Sequence, residues 1–366
     1  MRSLRGLCFM GMGALTVLVL GGGGFEAIFA EAPAWREWPV QKVGEHPLPL
    51  DPDEFAVYRT VTLKGEKLLV VDNDLDWTRA TVAYYKDGRL VWQTSLPTPV
   101  TAADVCPDGL VLITGQRVSR VDEGGRLLQE WTVPGQFYLA QVVCTADGIF
   151  VAYVATGVVQ IQLYSSRGTL LKSLAPVPVE WIRTARAFVW SFRGFPNYAG
   201  KALLTGKNRG EWFIVDARGD RPMLYSPSED FWQALENRQI RRIFPVMWQG
   251  REALLVGVSY SQRLPLEDYV RKYGVPPEKA QDLRDLLKDK PDPTVPVSLG
   301  HQLWVLDLRG RPLGRIAYSH EINVIFPTTT DATGDRWVVL QEPLWPPRKH
   351  RYIWRVFALG AGPAAL

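Results

Sequence analysis

Residues 101–133 read TAADVCPDGLVLITGQRVSRVDEGGRLLQEWTV. Four apolar runs of strand length, 101–106, 110–114, 117–121 and 126–133, are separated by turn residues, with Gly109 after the first run and Gly124-Gly125 after the third. Runs rich in Val, Ile, Leu and Trp, punctuated by Gly and Asp, are strand signals. Glycine suits such turns because a tight hairpin asks for positive φ, which a residue without Cβ adopts cheaply. The stretch therefore predicts a four-stranded antiparallel meander.

The same unit recurs on both sides. Gly88, Gly125, Gly168, Gly219 and Gly310 close one series of hairpins, and Gly65, Gly109, Gly148, Gly200, Gly250 and Gly334 lie upstream in a second. Strands are expected at 58–63, 67–72, 80–85 and 90–96 in repeat 1, and at 139–144, 149–154, 158–164 and 169–174 in repeat 3. Repeat 4 is less regular, at 184–192, 202–204, 212–215 and 223–225. Repeat 5 runs 243–248 and 253–258, then resumes at 302–306 and 314–317. Repeat 6 supplies 323–326, 337–340 and 353–357 and lacks a fourth strand, for which the orphan run 35–43 is the donor. Pairing an N-terminal strand with the last repeat closes a ring and removes exposed edges.

This texture resembles the six-bladed β-propellers of the broad class containing NHL-type and TolB-like repeats, over residues 35–359, with 360–366 as a C-terminal tail. The W-D dipeptide of WD40 blades is absent, as is the tryptophan-docking signature of quinoprotein propellers. The resemblance implies an all-β ring in which the first-to-second-strand and third-to-fourth-strand turns share one face. The other connections surround the channel mouth on the opposite face, where such proteins bind ligands and partners.

Composition bounds the rest. The chain has 366 residues, 46% hydrophobic and 11% aromatic with 14 Trp, ample for a large core. Most of those tryptophans are expected to wedge between blades. A formal charge of +4 is too small at this length to imply nucleic acid. Arg2 and Arg5 precede an uncharged stretch, 6–25, and then small residues to Ala30, so 1–30 reads as a secretory signal peptide cleaved after Ala30. The other reading is an uncleaved membrane anchor, the only membrane association expected. The mature chain would be periplasmic or extracellular. Cys106 and Cys144 occupy equivalent places in neighbouring repeats; they read either as a disulfide or as two buried thiols.

Two stretches break the repeat. Residues 262–300 form an insertion in repeat 5, with helices expected over 266–273 and 277–290. Residues 228–238 fall between repeats 4 and 5, with Ser228 as the expected cap of a short helix. Both fall on the loop-rich face.

Candidate site residues lie on that face too. Asp72, Asp74 and Asp76 alternate in one loop beside Trp77 and suggest Ca²⁺ through hard oxygen ligands, Ca²⁺ being the one cofactor the residues suggest. Glu54 is a further candidate metal ligand. His320-Glu321 is the candidate catalytic pair. Trp77, Glu180, Trp181, Arg183, Lys207, Arg209 and Trp345 make up a candidate recognition rim. The reading that follows is an exported propeller acting as an interaction scaffold for another exported or envelope protein. The alternative is a metal-assisted, gluconolactonase-like hydrolase or lyase at the channel mouth; a third is a carbohydrate-binding propeller.

Overall fold

The computed structural model describes residues 58–316 apart from 75, 136–138, 186, 209, 236–238 and 289–292, together with the strand segments 10–11, 14–15, 37–38, 40–47, 329–333, 336–341 and 353–359. The signal segment 1–30 thus lies almost wholly outside the described residues. So do the expected strand 323–326 and the tail.

The chain folds as antiparallel meanders in sequence order, the blades of a β-propeller. Blade 1 is Tyr58–Lys64, Lys67–Asn73, Ala80–Lys86 and Arg89–Leu96. Blade 2 is Ala102–Cys106, Gly109–Thr114, Arg117–Val121 and Leu127–Thr132. Blade 3 is Ala140–Thr145, Gly148–Ala155, Val158–Tyr164 and Leu170–Ser173. Blade 4 is Ser191–Gly194, Lys201–Thr205, Trp212–Asp216 and Met223–Tyr225. Blade 5 is Gln239–Trp248, Arg251–Pro265, Thr294–Leu306 and Pro312–Ile316.

Five blades are built wholly from consecutive strands, against the six expected. The reason lies in the last repeat. Thr329–Thr333, Arg336–Gln341 and Ile353–Leu359 form a terminal sheet whose fourth strand is Val40–Pro47, brought from the other end of the chain. The N-terminal run expected as one strand is split. Glu37–Trp38 pairs in parallel with the last strand of blade 5, and Val40–Pro47 pairs antiparallel with Ile353–Leu359.

Burial follows the position of a strand within its blade. The second strands of blades 2 and 3 are almost wholly buried, whereas the fourth strands of blades 1 and 2 are mostly exposed. Apolar side chains therefore pack between blades, not inside one central core. Leu69, Val71 and Val82 of blade 1 meet Val105 and Leu110 of blade 2. Between blades 4 and 5, Leu203 and Trp212 meet Val256 and Trp304.

Two tryptophans wedge at blade junctions in the same way. Trp92 ends blade 1 with its indole over Gly125 of blade 2, where a Cβ would stand 3.3 Å from the ring, and its Nε1–H donates to the Glu123 carbonyl at 2.9 Å. Trp131 of blade 2 lies likewise over Gly168 of blade 3, where a Cβ would come within 2.7 Å. These two glycines hold φ of 83° and 79°, so the turn and the inter-blade contact both require glycine.

Three local expectations are corrected. The first strand of blade 4 is Ser191–Gly194, not 184–192. The preceding apolar run makes a small exposed loop in which the Thr184 amide donates to the Ala187 carbonyl at 2.8 Å and the Arg183 and Phe188 backbones bridge. Ser228 caps with its backbone alone: its carbonyl accepts from the amides of Phe231 and Trp232, while its hydroxyl has no hydrogen-bond partner among the described residues. The helix it begins, α1 (Glu229–Leu235), buries Phe231 edge-on to Trp304, ring centroids 5.4 Å apart. Finally, Cys106 and Cys144 are joined as a disulfide between the first strands of blades 2 and 3, so the buried-thiol alternative gives way.

Candidate functional site

At the loop-rich end, a cavity of about 210 Å³ opens between blades 4 and 5. Its walls are the starts of the first strands, Trp190-Ser191 and Ile240, and the end of the second strand of blade 4, Thr205-Gly206. Two arginines line it: Arg193 from the first strand of blade 4 and Arg242 from that of blade 5. The Arg193 Nε–H donates to the Ser191 hydroxyl at 2.8 Å, and its guanidinium lies 5.0 Å from the centroid of the Phe244 ring, a cation–π contact. Arg193 lies deep in the protein, with only part of its side chain reaching the cavity. Burial first, and then the charge of Arg242, pull its pKa down to about 10; Asp104 opposes this. Ile240, Ile243 and Phe244 give the cavity an apolar side.

The two arginines are held differently. Arg193 is half-buried between the buried Phe192 and Gly194, whereas Arg242, beside the buried Ile243, is exposed where it lines the cavity. Sequence reading missed both residues. The available signal was Arg193 as the one charged residue in 187–200; Arg242 follows another arginine and offered none.

A second polar group is buried where blades 1, 2 and 3 meet. Lys64 Nζ donates to Asp104 Oδ2 at 2.6 Å and to the carbonyls of Val105 and Cys144 at 3.2 and 3.0 Å. Asp104 also accepts from the amides of Val105 and Cys144, at 2.8 and 2.7 Å. Burial pushes the Asp104 carboxyl up from its ordinary value, and the Lys64 ammonium and the two amides oppose that. With each carboxylate oxygen hydrogen-bonded and a cation in contact, the pair is a structural joint between blades.

The predicted site residues have different fates. Trp181 is half-buried: its ring packs edge-on against Phe213, centroids 4.7 Å apart, and over Gly206, where a Cβ would strike the indole. Glu180 and Arg183 are exposed beside it in and after a single 3₁₀ turn, Val179–Trp181. Lys207 is joined to them by its backbone amide, which donates to the Trp181 carbonyl at 3.2 Å. Trp77 stands 41% exposed at a loop tip with φ of 53°. In the same loop Asp74 is committed to the turn, accepting from the Thr78 amide and hydroxyl (2.7 and 2.6 Å) and the Arg79 amide (3.1 Å). These bonds, the Thr78 hydroxyl foremost, bring its carboxyl down to about 2. Asp76 is exposed and Asp72 half-buried. Among the described residues no group of three His, Cys, Asp or Glu side chains is placed to hold a metal ion. Glu54, Arg209, His320, Glu321 and Trp345 lie outside the described residues.

Meanders of four antiparallel strands packed face to face define the molecule as a β-propeller. The solved structure of a member of the DUF4221 family from Bacteroides vulgatus is similar to it, with a TM-score of 0.53 at 10% identity over 89% of this chain and 99% of that one. The WD40 β-propeller domain of Doa1 matches at a TM-score of 0.39 and 10% identity, over 82% of this chain and 79% of that one. At such identities the likeness speaks for the fold alone, and the first structure carries that argument. No protein-family model matches the sequence, and no curated protein is similar to it.

Proposed function

We propose that this chain is an exported six-bladed propeller that acts as an interaction scaffold, docking another exported or envelope protein at its loop-rich end. The observation that carries the docking reading is the arm on blade 5. The second and third strands stay paired past the blade, from Ser259 with His301 to Pro265 with Thr294, and hold two helices at their tip. These are α2 (Leu266–Tyr273) and α3 (Pro277–Leu287). Glu267 and Arg284 join the two helices by a double hydrogen bond, 2.9 Å on each side, around a small apolar centre that includes Leu266, Ala280 and Leu287. Among the described residues the contacts of α2 are chiefly with α3 and with its own hairpin, so the arm stands out from the blade as a docking element.

Three observations support the ring and its export. First strands adjoin in sequence from blade 1 to blade 5, and Thr329–Thr333 of the terminal sheet lies against both the blade 5 and the blade 1 first strands. The outer flanks of the five-blade array are buried, at Leu68, Val70 and Tyr85 on one side and Val246, Leu255 and Val305 on the other, as a sixth blade between them requires. The Cys106–Cys144 bond suits an oxidising compartment, in keeping with a cleaved N-terminal signal.

Crosslinking in the exported fraction tests the docking reading. The full chain is compared with a chain in which residues 259–301 are replaced by a two-residue turn joining Val258 to Gln302. A partner crosslinked by the full chain and lost from the shortened, still folded chain is expected. Equal crosslinking by both chains would sink the proposal.

A further inference from the structure

We propose that the cavity between blades 4 and 5 is a binding site for a small organic carboxylate with an apolar body, held by Arg193 and Arg242. This goes beyond the scaffold reading and stands whether or not the arm docks a protein.

Two guanidinium groups line one small cavity within electrostatic reach of each other. Among the described residues no carboxylate lies within ion-pairing distance of Arg193, and Asp104, the acid whose field reaches it, is committed to Lys64 and two backbone amides. Among the described residues the Arg193 charge is thus balanced by no carboxylate of its own, and an anion entering the cavity would meet it.

The geometry narrows the anion. A guanidinium presents a rigid planar fork that matches the two oxygens of a carboxylate. Arg193 is pre-set by the Ser191 hydroxyl on its Nε and by the Phe244 ring beneath it, so its terminal nitrogens are oriented before any ligand arrives. The rest of the lining is apolar, from Ile240, Ile243 and Phe244, with the Thr205 side chain as a further polar member. A fully hydrated inorganic anion would leave that wall unused. An aryl or branched alkyl carboxylate fills it while its oxygens meet the arginines, the pattern of a pocket that is mostly apolar with a few convergent polar groups. At about 210 Å³ the space suits a ligand below drug size.

Benzoate is the probe, with benzamide as its neutral near-isostere and sulfate as a bare anion. Titration calorimetry on the full mature chain is expected to give saturable benzoate binding, with no binding of benzamide and weaker binding of sulfate. Arg193→Gln and Arg242→Gln are each expected to weaken benzoate at least tenfold. Arg193→Met, which removes one of two mutually repelling charges, is expected to fold and to melt no lower than the parent chain while losing benzoate. That combination separates a binding arginine from a structural one. Absence of saturable benzoate binding by the parent chain would overturn the proposal. So would equal binding of benzamide, sulfate binding as tight as benzoate, or benzoate binding unchanged in both glutamine variants.

Discussion

At the scale of single residues, the largest electrostatic commitment in the described part of the fold is Lys64 with Asp104. Both side chains are almost fully buried, 3% and 4% exposed, and their nitrogen and oxygen stand 2.6 Å apart. Lys64 also reaches across to the ring of Tyr198, 5.0 Å away, and a Cβ on Gly194 would stand 2.9 Å from its Nζ. One ammonium thus touches segments of blades 1 to 4. Removing one partner of a buried pair strands the other charge, at a cost of about 3–5 kcal/mol. Lys64→Met should therefore lower stability by that much in urea unfolding, while Lys64→Met with Asp104→Leu should recover most of the loss. A double variant as unstable as the single one would mean that the pair matters through its shape, not its charge. None of this was legible in the sequence, where Lys64 ends one strand and Asp104 lies within another, 40 positions apart. The acidic loop shows the converse. Three alternating aspartates look like ligands in sequence, yet Asp74 spends its oxygens on the turn that places Trp77 at positive φ.

At the scale of elements, the glycine series was readable because each glycine answers a local demand. Blade 1 closes its last hairpin with Asp87-Gly88, both at positive φ, a two-residue turn whose twist suits antiparallel strands. Blades 2 and 5 use a turn whose aspartate, Asp122 or Asp307, accepts from amides two and four residues on and holds the following arginine. Local reading failed where the demand was tertiary. The run from Ala187 to Trp190 has strand composition, yet Phe188 and Val189 are exposed, because the first strand of blade 4 starts only at Ser191. It must also pass Val143 closely, with Gly194 leaving no room for a Cβ. The Cys106–Cys144 bond spans 38 residues and links the first strands of blades 2 and 3. Loop-closure entropy assigns such a crosslink roughly 3–4 kcal/mol. Cys106→Ala with Cys144→Ala is accordingly expected to unfold at lower urea by an amount of that order, with its circular dichroism unchanged before the transition. Unaltered stability would mean that the inter-blade apolar layer alone sets the cohesion of these blades.

At the scale of the whole molecule, a row of blades is stable only if its two ends are covered. Each blade buries its faces against its neighbours, so an open row leaves two apolar faces and two strand edges exposed, both of which favour aggregation. The described residues show both outer faces already buried, and the N-terminal run bonded in two places. Glu37–Trp38 extends blade 5, and Val40–Pro47 completes the terminal sheet by pairing along the whole of Ile353–Leu359. A short stretch of chain therefore bridges two sheets at once, so that separating those sheets would require both pairings to break together. The prediction concerns cooperativity. A chain beginning at residue 48 should lose amide protection not only along Ile353–Leu359 but also in Tyr58–Lys64 and Gln239–Trp248, whose neighbour is the terminal sheet. It should melt well below a chain beginning at residue 31. A synthetic peptide of residues 35–48 added in trans should restore part of both. If the shorter chain kept its melting temperature and its protection in blades 1 and 5, the N-terminal strand would be an accessory to a five-blade body that is stable alone. If protection falls across all three sheets at once, the strand is the clasp on which the ring's single cooperative transition depends.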